Sequence, residues 1–515
     1  MMQLPSRTRL SLFASALFAS GCALGPDFTT PAAPETARYT SEALPGTTVS
    51  TAVVGGEAQQ FLAGKALPDR WWTLFGAPKL NALVEQALIA SPSVASAQAA
   101  LRVAQQNYRA ERSNLLPSAE GTFDASRQKI DTATFGNPGG GGVIYNLYNT
   151  SIGVSYGLDL WGGTRRGVEA ERAAAEFQQW QLEATYQTLI ANVVTTAFRE
   201  IEQRTLMVGQ ELVIRQQESL LKITQARYDS GAIARSELLS MQSQVATERG
   251  KLPAYKLAMT QAQNQLAVYL GKLPSEYVSA PFELDELNLP QELPISLPSS
   301  LVRQRPDIRA AEATMHEASA RVGIATANLL PQIALTAKFG TQASVIDQLF
   351  TGNVWSIAGN VTQPLFNAGK LRAERRAAFA TLDKTAADYR QTVLDAFRNV
   401  ADALRALETD AEYLQAQYTA ADLSAQSLKL TESQYKLGSS SSLAVLDAQT
   451  RDTQARAGYI AARVSRLSDT AALFQALGGG WATRNADAEL PAGPPGGPPG
   501  GTPPTESASS SVGAP

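Results

Sequence analysis

The feature of this 515-residue chain that most constrains its fold is an internal repeat. The motif NLLP at residues 114–117 returns at residues 328–331, 214 positions later. Near the ends of the two halves the offset is 207, and LLKITQARYDSG (220–231) matches SLKLTESQYKLG (427–438). The chain is therefore predicted to be a tandem duplication of one structural unit of slightly over 200 residues.

A proline-rich segment, LPSEYVSAPFELDELNLPQELPISLP (273–298), separates the two halves. Proline breaks the interior of a helix, so we expect no continuous helix there. This predicts an N-terminal segment with the first repeat over 22–272, a linker over 273–300 and a second repeat over 301–481. Residues 482–515 are rich in Gly, Pro and Ser without a strict Gly-X-Y period, which predicts a disordered tail.

Each half begins with a helical pattern and then changes to a period of two. We expect a helix of roughly 25 to 35 residues that ends at NLLP, because proline cannot extend a helix and favours an extended residue before it. Strand hairpins are predicted at 118–161 and 332–366, each with two strands of roughly ten residues, and the stretch 128–149 is expected to be a long Gly-rich connection. A soluble β-sandwich gives the same alternation. One face of the four strands is predicted to carry Ala119, Gly121, Phe123, Ala125, Ile152, Val154, Tyr156, Leu158, Leu160, Ile333, Leu335, Phe339, Trp355, Ile357, Val361 and Leu365.

A very long helix is predicted after each strand pair. Between Gly369 and Gly438 no Gly or Pro interrupts the sequence, and the counterpart from 164 to 228 contains no Pro and only two glycines, Gly167 and Gly209. Such a helix is about 100 Å long at about 1.5 Å per residue. Apolar or small residues alternate in steps of three and four, which predicts a coiled-coil seam, and a return helix of about 35 residues is expected after each turn. The seam consists of Val393, Phe397, Val400, Leu404, Leu407, Ala411, Leu414, Tyr418, Ala421, Ala425 and Leu428.

The N-terminus has the pattern of an export signal. Two arginines precede an apolar run from Leu10 to Ala19, and Ala-Ser-Gly then leads to Cys22, the only cysteine. This resembles a bacterial lipobox, which implies a signal peptide over 1–21 and a lipid anchor on Cys22. The alternative is an ordinary signal peptide with an incidental cysteine.

Composition limits the possible functions. The net charge of −3 gives no basic surface for nucleic acid, and one Cys and one His exclude an internal disulfide and any Cys/His zinc cluster. The histidine, His316, is expected at the surface. No apolar run after Cys22 approaches the roughly 20 residues of a membrane-spanning helix, so a membrane-crossing chain requires a β-barrel. Four strands cannot close a barrel, and several chains would have to pool their strands.

Three motifs add a family resemblance to this pattern. They are DRWWTLFGAPKLNALVEQAL (69–88), YKLGSSSSLAVLDAQ (435–449) and ALGGGW (476–481). Together with the lipobox and the repeat they resemble TolC-like outer-membrane factors, specifically the NodT or OprM type of lipid-anchored efflux protein. The resemblance implies a mixed α and β membrane protein that forms a homotrimer. Its tandem-duplicated protomers would form a 12-stranded β-barrel and a long periplasmic α-helical coiled-coil barrel.

The same resemblance implies a function and partners. The trimer would be the outer-membrane exit duct of a tripartite efflux system in a Gram-negative bacterium, working with a periplasmic adaptor and an inner-membrane pump of the RND type. Cys22 would carry N-palmitoyl and S-diacylglycerol groups, and Ala23 after it implies sorting to the outer membrane. No catalytic residue, metal or cofactor is expected. The alternatives are a duct for type I protein secretion, a lipid-anchored periplasmic coiled-coil scaffold and an exported enzyme.

The resemblance also assigns candidate site residues at the two helix turns. Leu443 would form an apolar constriction and Asp447 a carboxylate ring, while Tyr228 and Tyr435 would lock neighbouring helix pairs. Thr450 stands where some relatives have a basic residue, which leaves open whether the closed aperture includes a salt bridge. A coiled-coil core position remains open for Leu443, and a solvated surface position for Asp447. The turns that would meet the adaptor contain Gly231, Ala232, Gly438, Ser439 and Ser440.

Overall fold

The computed structural model describes residues 23–36, 38–131, 142–279 and 282–481. Both halves share one order: a 22-residue helix, two strands, a 67-residue helix and a 35-residue helix. In chain order the elements are β1 (Gln60–Ala63), α1 (Pro78–Ala90), α2 (Pro92–Ser113), β2 (Ser118–Asp131), β3 (Gly142–Leu158), α3 (Gly163–Asp229), α4 (Arg235–Tyr269), β4 (Glu292–Ile295), α5 (Pro298–Gln304), α6 (Pro306–Ala327), β5 (Gln332–Ala343), β6 (Asn353–Thr362), α7 (Lys370–Lys436) and α8 (Ser442–Ala476).

The repeated NLLP motif forms the same corner in both halves. Asn114 and Asn328 end α2 and α6 with identical backbone angles, φ −65° and ψ −12°, and β2 and β5 begin directly after the proline of each motif. The expected helix length was wrong, because α2 and α6 have only 22 residues each. Pro92 and Pro306 occupy the first helical position, where the absent N–H costs nothing, so each proline starts a new helix.

The long helices α3 and α7 each contain 67 residues, about 100 Å at 1.5 Å per residue. Each follows a glycine with positive φ, Gly162 at 75° and Gly369 at 84°. Every predicted seam position on α7 is buried or half-buried, and α7 packs along α8, so the coiled-coil prediction is confirmed. Among the described residues, no helix combines the length and the apolar character that crossing a membrane requires.

The four long strands form one antiparallel sheet in the order β2-β3-β5-β6. Its register places Ala119, Val154, Ala337 and Ile357 in one row. Paired residues of neighbouring strands share a face, so the apolar residues predicted for one face do lie on the same side of the sheet. Leu160 and Leu365 are not part of this face, because each lies beyond the end of its strand. The apolar prediction is confirmed for the strands themselves, and most of the large side chains on this face are exposed, Ile357 by 78%.

The opposite face of the sheet is polar. Ser118 pairs with Ser155 through a 2.9 Å hydroxyl contact, and Thr122 pairs with Ser151 at the same distance. Among the described strands, β2 and β6 each have a neighbour on one side only. The sheet therefore presents two different faces and two open edges.

The first hairpin is longer than the sequence analysis expected. The ladder of β2 and β3 continues to Asp131 and Gly142, through part of the stretch 128–149 that was predicted to be a loop. Arg127 and Lys129 occupy the next two positions on the face that is apolar up to Ala125. Their charged side chains end the apolar alternation, but the backbone pairing of the two strands continues. Residues 132–141 of the predicted Gly-rich loop lie outside the described residues.

The sequence analysis missed a second, two-stranded sheet. β1 pairs in parallel with β4, in the register Gln60 to Glu292 through Ala63 to Ile295. This pairing ties the N-terminal segment to the stretch 273–300, which was predicted to be a linker and which also contains the start of α5. Four-residue strands are too short to give a clear period in a sequence.

An aromatic cluster forms the centre of the main core. Phe75 is fully buried and lies 5.1 Å from Phe198 and 6.4 Å from Phe474 between ring centroids. Trp71 and Trp72 are buried in the same cluster. The cluster joins the N-terminal segment, α3 and α8, so it fixes the level at which both halves meet.

We expect Phe75→Ala to destabilise the protein by about 3–5 kcal/mol, because it leaves a cavity among aromatic rings. Thermal unfolding of the detergent-solubilised protein measures the effect. Leu74→Ala, at an exposed neighbouring position, is the matched control and should leave the unfolding temperature nearly unchanged. Equal shifts for both variants would contradict the assignment of Phe75 to the core.

Candidate functional site at the helix turns

The two helix turns have the same backbone geometry. Gly231 and Gly438 both have φ of 76°, and the N–H groups of Ala232 and Ser439 donate to carbonyls five residues earlier at 2.8 and 2.9 Å. No heavy atom lies within 4 Å of a Cβ built on either glycine, so left-handed geometry rather than space demands glycine here. The turn residues named in the sequence analysis are exposed, except for Ser440, which is half-buried.

A serine caps only the second of the two return helices. The Ser441 hydroxyl accepts a 3.2 Å hydrogen bond from the Ala444 N–H at the start of α8. At the start of α4 the capping position is Ala234, which has no side-chain acceptor. A side-chain cap is therefore present at the start of α8 and absent at the start of α4.

Two contacts join the turns to each other. The Arg227 guanidinium donates to the Tyr435 hydroxyl at 3.0 Å and its central carbon lies 5.0 Å from the centre of that ring. The Ser442 hydroxyl donates to Glu237 at the start of α4. Tyr435 thus contacts α3 through Arg227, the residue directly before Tyr228, whose own side chain is half-buried. We refer to these contacts, Arg227–Tyr435 and Glu237–Ser442, as the tip clasp.

Sequence reasoning missed three members of the tip clasp. Arg227, Glu237 and Ser442 lie beside residues that it named, but the bonds connect positions 205 and 208 residues apart. The only available signal was the repeat itself, since Glu237 and Ser442 occupy nearby positions at the start of the equivalent return helices.

The candidate aperture residues project from the free face of α8. Leu443 is 65% exposed, whereas Val445 and Leu446, two and three positions later, are buried. Leu446 packs with Met241 and Val245 of α4. Within this chain, Leu443 is therefore not a coiled-coil core residue.

Asp447 lies one turn after Leu443 and has an ion-pair partner. Its carboxylate contacts the Arg451 guanidinium at 2.8 Å, four residues on along the same helix, and both side chains are more than half exposed. Within this chain the basic partner of Asp447 is Arg451, one position after Thr450. Thr450 points towards α4 instead, and its hydroxyl accepts a 3.4 Å hydrogen bond from Gln244.

Little apolar packing holds the tip. Its buried apolar cluster contains only Met241, Val245 and Leu446, and the neighbouring layer is polar, with Gln210 donating to Glu248 at 2.8 Å. Gln217 and Gln449 are also buried there. Segments with few apolar contacts open at low free-energy cost, so the tip is the natural place for movement.

The first described residues run along the base of the large sheet. Leu24 donates its N–H to the Trp161 carbonyl at 3.2 Å, and Arg166, with a 5% exposed side chain, binds Asp27 and Glu169 at 2.6 and 2.7 Å. His316 was expected at the surface but is half-buried, since it stacks on Phe28 at 4.4 Å and contacts Glu169. Cys22 lies outside the described residues, directly before this fixed segment.

The sequence matches the model of the outer membrane efflux protein family over residues 83–272 and 297–479. The chain belongs to this family. It is 30% identical over 498 residues to the toluene efflux pump outer membrane protein TtgC of Pseudomonas putida, covering 95% of this chain and 100% of that protein. It is 31% identical to the pyoverdine export outer membrane protein OpmQ of the same species, covering 81% of this chain and 89% of that one.

A solved structure gives the same fold. The outer-membrane channel OprN superposes with a TM-score of 0.78 at 26% identity, covering 89% of this chain and 100% of OprN. The matched regions include both repeats with their turns, so the tip belongs to the part of the chain that the family shares. Membership of this family identifies the chain as an outer membrane efflux protein and agrees with the mixed helix and sheet architecture.

We expect Glu237→Ala to loosen the start of α8, because it removes a hydrogen bond to a charged group worth about 1.5–3 kcal/mol. Hydrogen exchange of residues 441–446 should accelerate by about tenfold or more. Glu218→Ala, which breaks an exposed ion pair with Arg249 between α3 and α4, is the control. Unchanged exchange in the Glu237 variant would show that the clasp does not hold the turn.

Proposed function

We propose that this outer membrane efflux protein is the exit duct of a tripartite system, in which it exports small molecules with a periplasmic adaptor and an inner-membrane pump of the RND type. The main support for this proposal is a four-stranded sheet that is apolar on one face and polar on the other and is joined to helices about 100 Å long. A lipid-facing side, a water-facing side and a span of periplasmic length are the parts that such a duct requires.

The open sheet edges support a homotrimer. Unpaired backbone groups along β2 and β6 have no partners in lipid, and closing the sheet removes both edges. Three copies supply twelve strands. The apolar band on β3 from Tyr148 to Leu158 is about 33 Å along the strand and, at a tilt of about 40°, about 25 Å tall, which matches the apolar band of outer-membrane barrels.

The tip provides a closed aperture in this proposal. Three-fold symmetry brings three copies of Leu443 and Asp447 to the axis, where an apolar ring excludes water and a carboxylate ring favours cations. Arg451 beside each Asp447 reduces the repulsion between the three carboxylates, so the ring tolerates a closed arrangement. Tyr228 and the tip clasp hold the helix pairs together, and opening requires their release.

The exposed turns are the proposed adaptor contacts. They lie at the end of the helices farthest from the sheet, and a docking partner reaches them without crossing the tunnel. The residues of this contact are Gly231, Ala232, Gly438, Ser439 and Ser440.

Cys22 is the proposed lipid anchor, with N-palmitoyl and S-diacylglycerol groups. The segment directly after it is fixed to Trp161 and Arg166 at the base of the sheet. An acyl chain on Cys22 therefore starts beside the edge of the apolar band. This position fits the leaflet of the outer membrane that faces the periplasm.

We propose transport without catalysis. The relatives are named for toluene efflux and pyoverdine export, so the cargo class here is small organic molecules. Relatives named as efflux proteins favour this function over type I protein secretion. The exposed apolar sheet face argues against a periplasmic scaffold, because a scaffold has no use for it.

We expect Ile357→Lys to prevent membrane assembly, because a lysine facing lipid near the bilayer midplane costs about 2–4 kcal/mol in each protomer. Ala358→Lys, one position on and on the polar face, is the matched control and should assemble normally. Heat-modifiable migration of the trimer from outer-membrane fractions measures the difference. Similar assembly of both variants would refute the assignment of the two faces.

Planar-bilayer conductance tests the aperture. We expect a small, noisy current from the wild-type trimer and a larger current from Asp447→Ala, because the alanine removes both the carboxylate ring and its pair with Arg451. Asp422→Ala, an exposed carboxylate on α7 bonded to Gln426, is the control and should keep the wild-type current.

The possible results separate the channel from its aperture. A sizeable conductance that Asp447→Ala leaves unchanged would keep the channel and exclude this aperture. An absence of conductance in folded trimers of every variant would exclude the channel itself.

A further inference from the structure

A pair of carboxyl groups lies between α7 and α8, far from the tip. Asp410 of α7 and Asp469 of α8 are in hydrogen-bond contact. The Oδ2 atom of Asp410 is shielded from solvent and receives no hydrogen bond from a donor among the described residues. Two carboxylates cannot donate to each other, so this contact is a hydrogen bond only when the pair holds a proton.

The neighbouring Arg466 of α8 fastens a loop of the N-terminal segment. Its fully buried guanidinium donates to the Thr48 hydroxyl at 3.0 Å, the Glu57 carbonyl at 2.7 Å, and the Gly55 carbonyl and Gln59 side-chain oxygen at 3.3 Å each. We call residues 47–60 the belt loop. Its ends are joined by the bridge between Thr47 and Gln60. The belt loop leads directly into β1, so Arg466 links α8 to the small parallel sheet.

Several charged groups face the carboxyl pair. Arg466 attracts it, and the Glu57 carboxyl of the belt loop attracts Arg466 in turn. A cavity of about 420 Å³ beside Asp469 is lined by Asn399 and Gln475. Other charged groups near the pair and the belt loop are Asp402 and Arg305 across this cavity, the ion pair of Arg463 with Asp285, and Glu292, which lines a second cavity together with Glu57.

We propose that Asp410 and Asp469 form a proton-operated latch, which holds α7 against α8 and keeps Arg466 on the belt loop while the pair shares a proton. When the proton leaves, two carboxylates in contact repel each other across the α7–α8 seam. The added negative charge also attracts the Arg466 guanidinium away from the carbonyls of the belt loop. The belt loop then loses the side chain that binds four of its acceptors.

The direction of the pH dependence follows from the same groups. Burial, together with the contact to Asp469, raises the pKa of Asp410 from 3.8 to about 7, and Arg466 opposes this only in part. A raised pKa means that the folded protein holds a proton that the unfolded chain releases. The latch therefore contributes fully below about pH 4 and loses its contribution as the pH rises through about 7.

Hydrogen exchange on the full-length, detergent-solubilised protein tests the latch. Rates at pH 6 and pH 8 are each divided by the intrinsic chemical rate at that pH. With a pKa of about 7, the ionised fraction rises about tenfold between these pH values, so we expect a similar acceleration for residues 47–60 in the wild type. Asp410→Asn keeps a hydrogen-bond donor and no charge, and should give slow exchange at both pH values.

A matched variant separates the latch from general charge effects. Asp402→Asn removes an exposed carboxylate from the same helix and cavity and should retain the wild-type acceleration. If Asp410→Asn does not fold, Asp469→Asn tests the same pair. Equal exchange of the belt loop at both pH values in the wild type, or loss of the acceleration in Asp402→Asn, would overturn the proposal. This readout does not use conductance, so it stands or fails independently of the proposed channel.

Discussion

Backbone N–H and C=O groups along the outer sides of β2 and β6 have no strand partner in the described chain, and most other features depend on where those groups find partners. In lipid such groups must be bonded, because water is not available to them. When the sheets of further copies of the chain pair with these edges, the combined sheet closes into a ring with its apolar face outward. The polar face then lines an interior, and the helices that continue from β3 and β6 stand in a ring below it.

Stability is distributed unevenly along this assembly. The largest apolar cluster surrounds Phe75 and Phe198, where the N-terminal segment, both halves of the repeat and the linker meet. The apolar cluster at the tip has only three buried members, and hydrogen bonds and an exposed ion pair supply further contacts there. A firm middle and a weakly packed end allow the tip to rearrange without unfolding the rest. The carboxyl pair of Asp410 and Asp469 lies beside members of the largest cluster on α7 and α8, and in the proposed latch its protonation alters contacts of the N-terminal segment.

Much of the architecture was predictable because it rests on local patterns. The NLLP corners, the heptad seam on α7 and the two-residue alternation of the strands each follow from short-range geometry. Prediction was less accurate where sequence and backbone diverge, as in β2, whose ladder continues past the point where Arg127 ends the apolar pattern. The helix before each corner was predicted too long, because a proline that starts a helix was not distinguished from one that ends it.

The unpredicted parts are those that depend on distant residues meeting. Arg227 and Tyr435 are 208 positions apart, and Arg466 reaches the belt loop across more than 400. A single sequence contains no sign that these side chains face each other. Arg451 is a different case, because its spacing of four from Asp447 on a predicted helix was sufficient to indicate the pair.

The equal lengths of the paired helices restrict how such a protein changes during evolution. Both long helices have 67 residues and both return helices have 35, and the contact of Arg227 with Tyr435 requires the two turns to lie at one level. One inserted residue in α7 would rotate everything beyond it by about 100° and move Tyr435 off its partner. An insertion of seven residues, two helical turns, brings the same side of the helix back to face its neighbour, but the two turns stay at one level only if all four helices gain seven residues. A lineage that adapts to a wider periplasm must therefore lengthen four distant segments of its gene together.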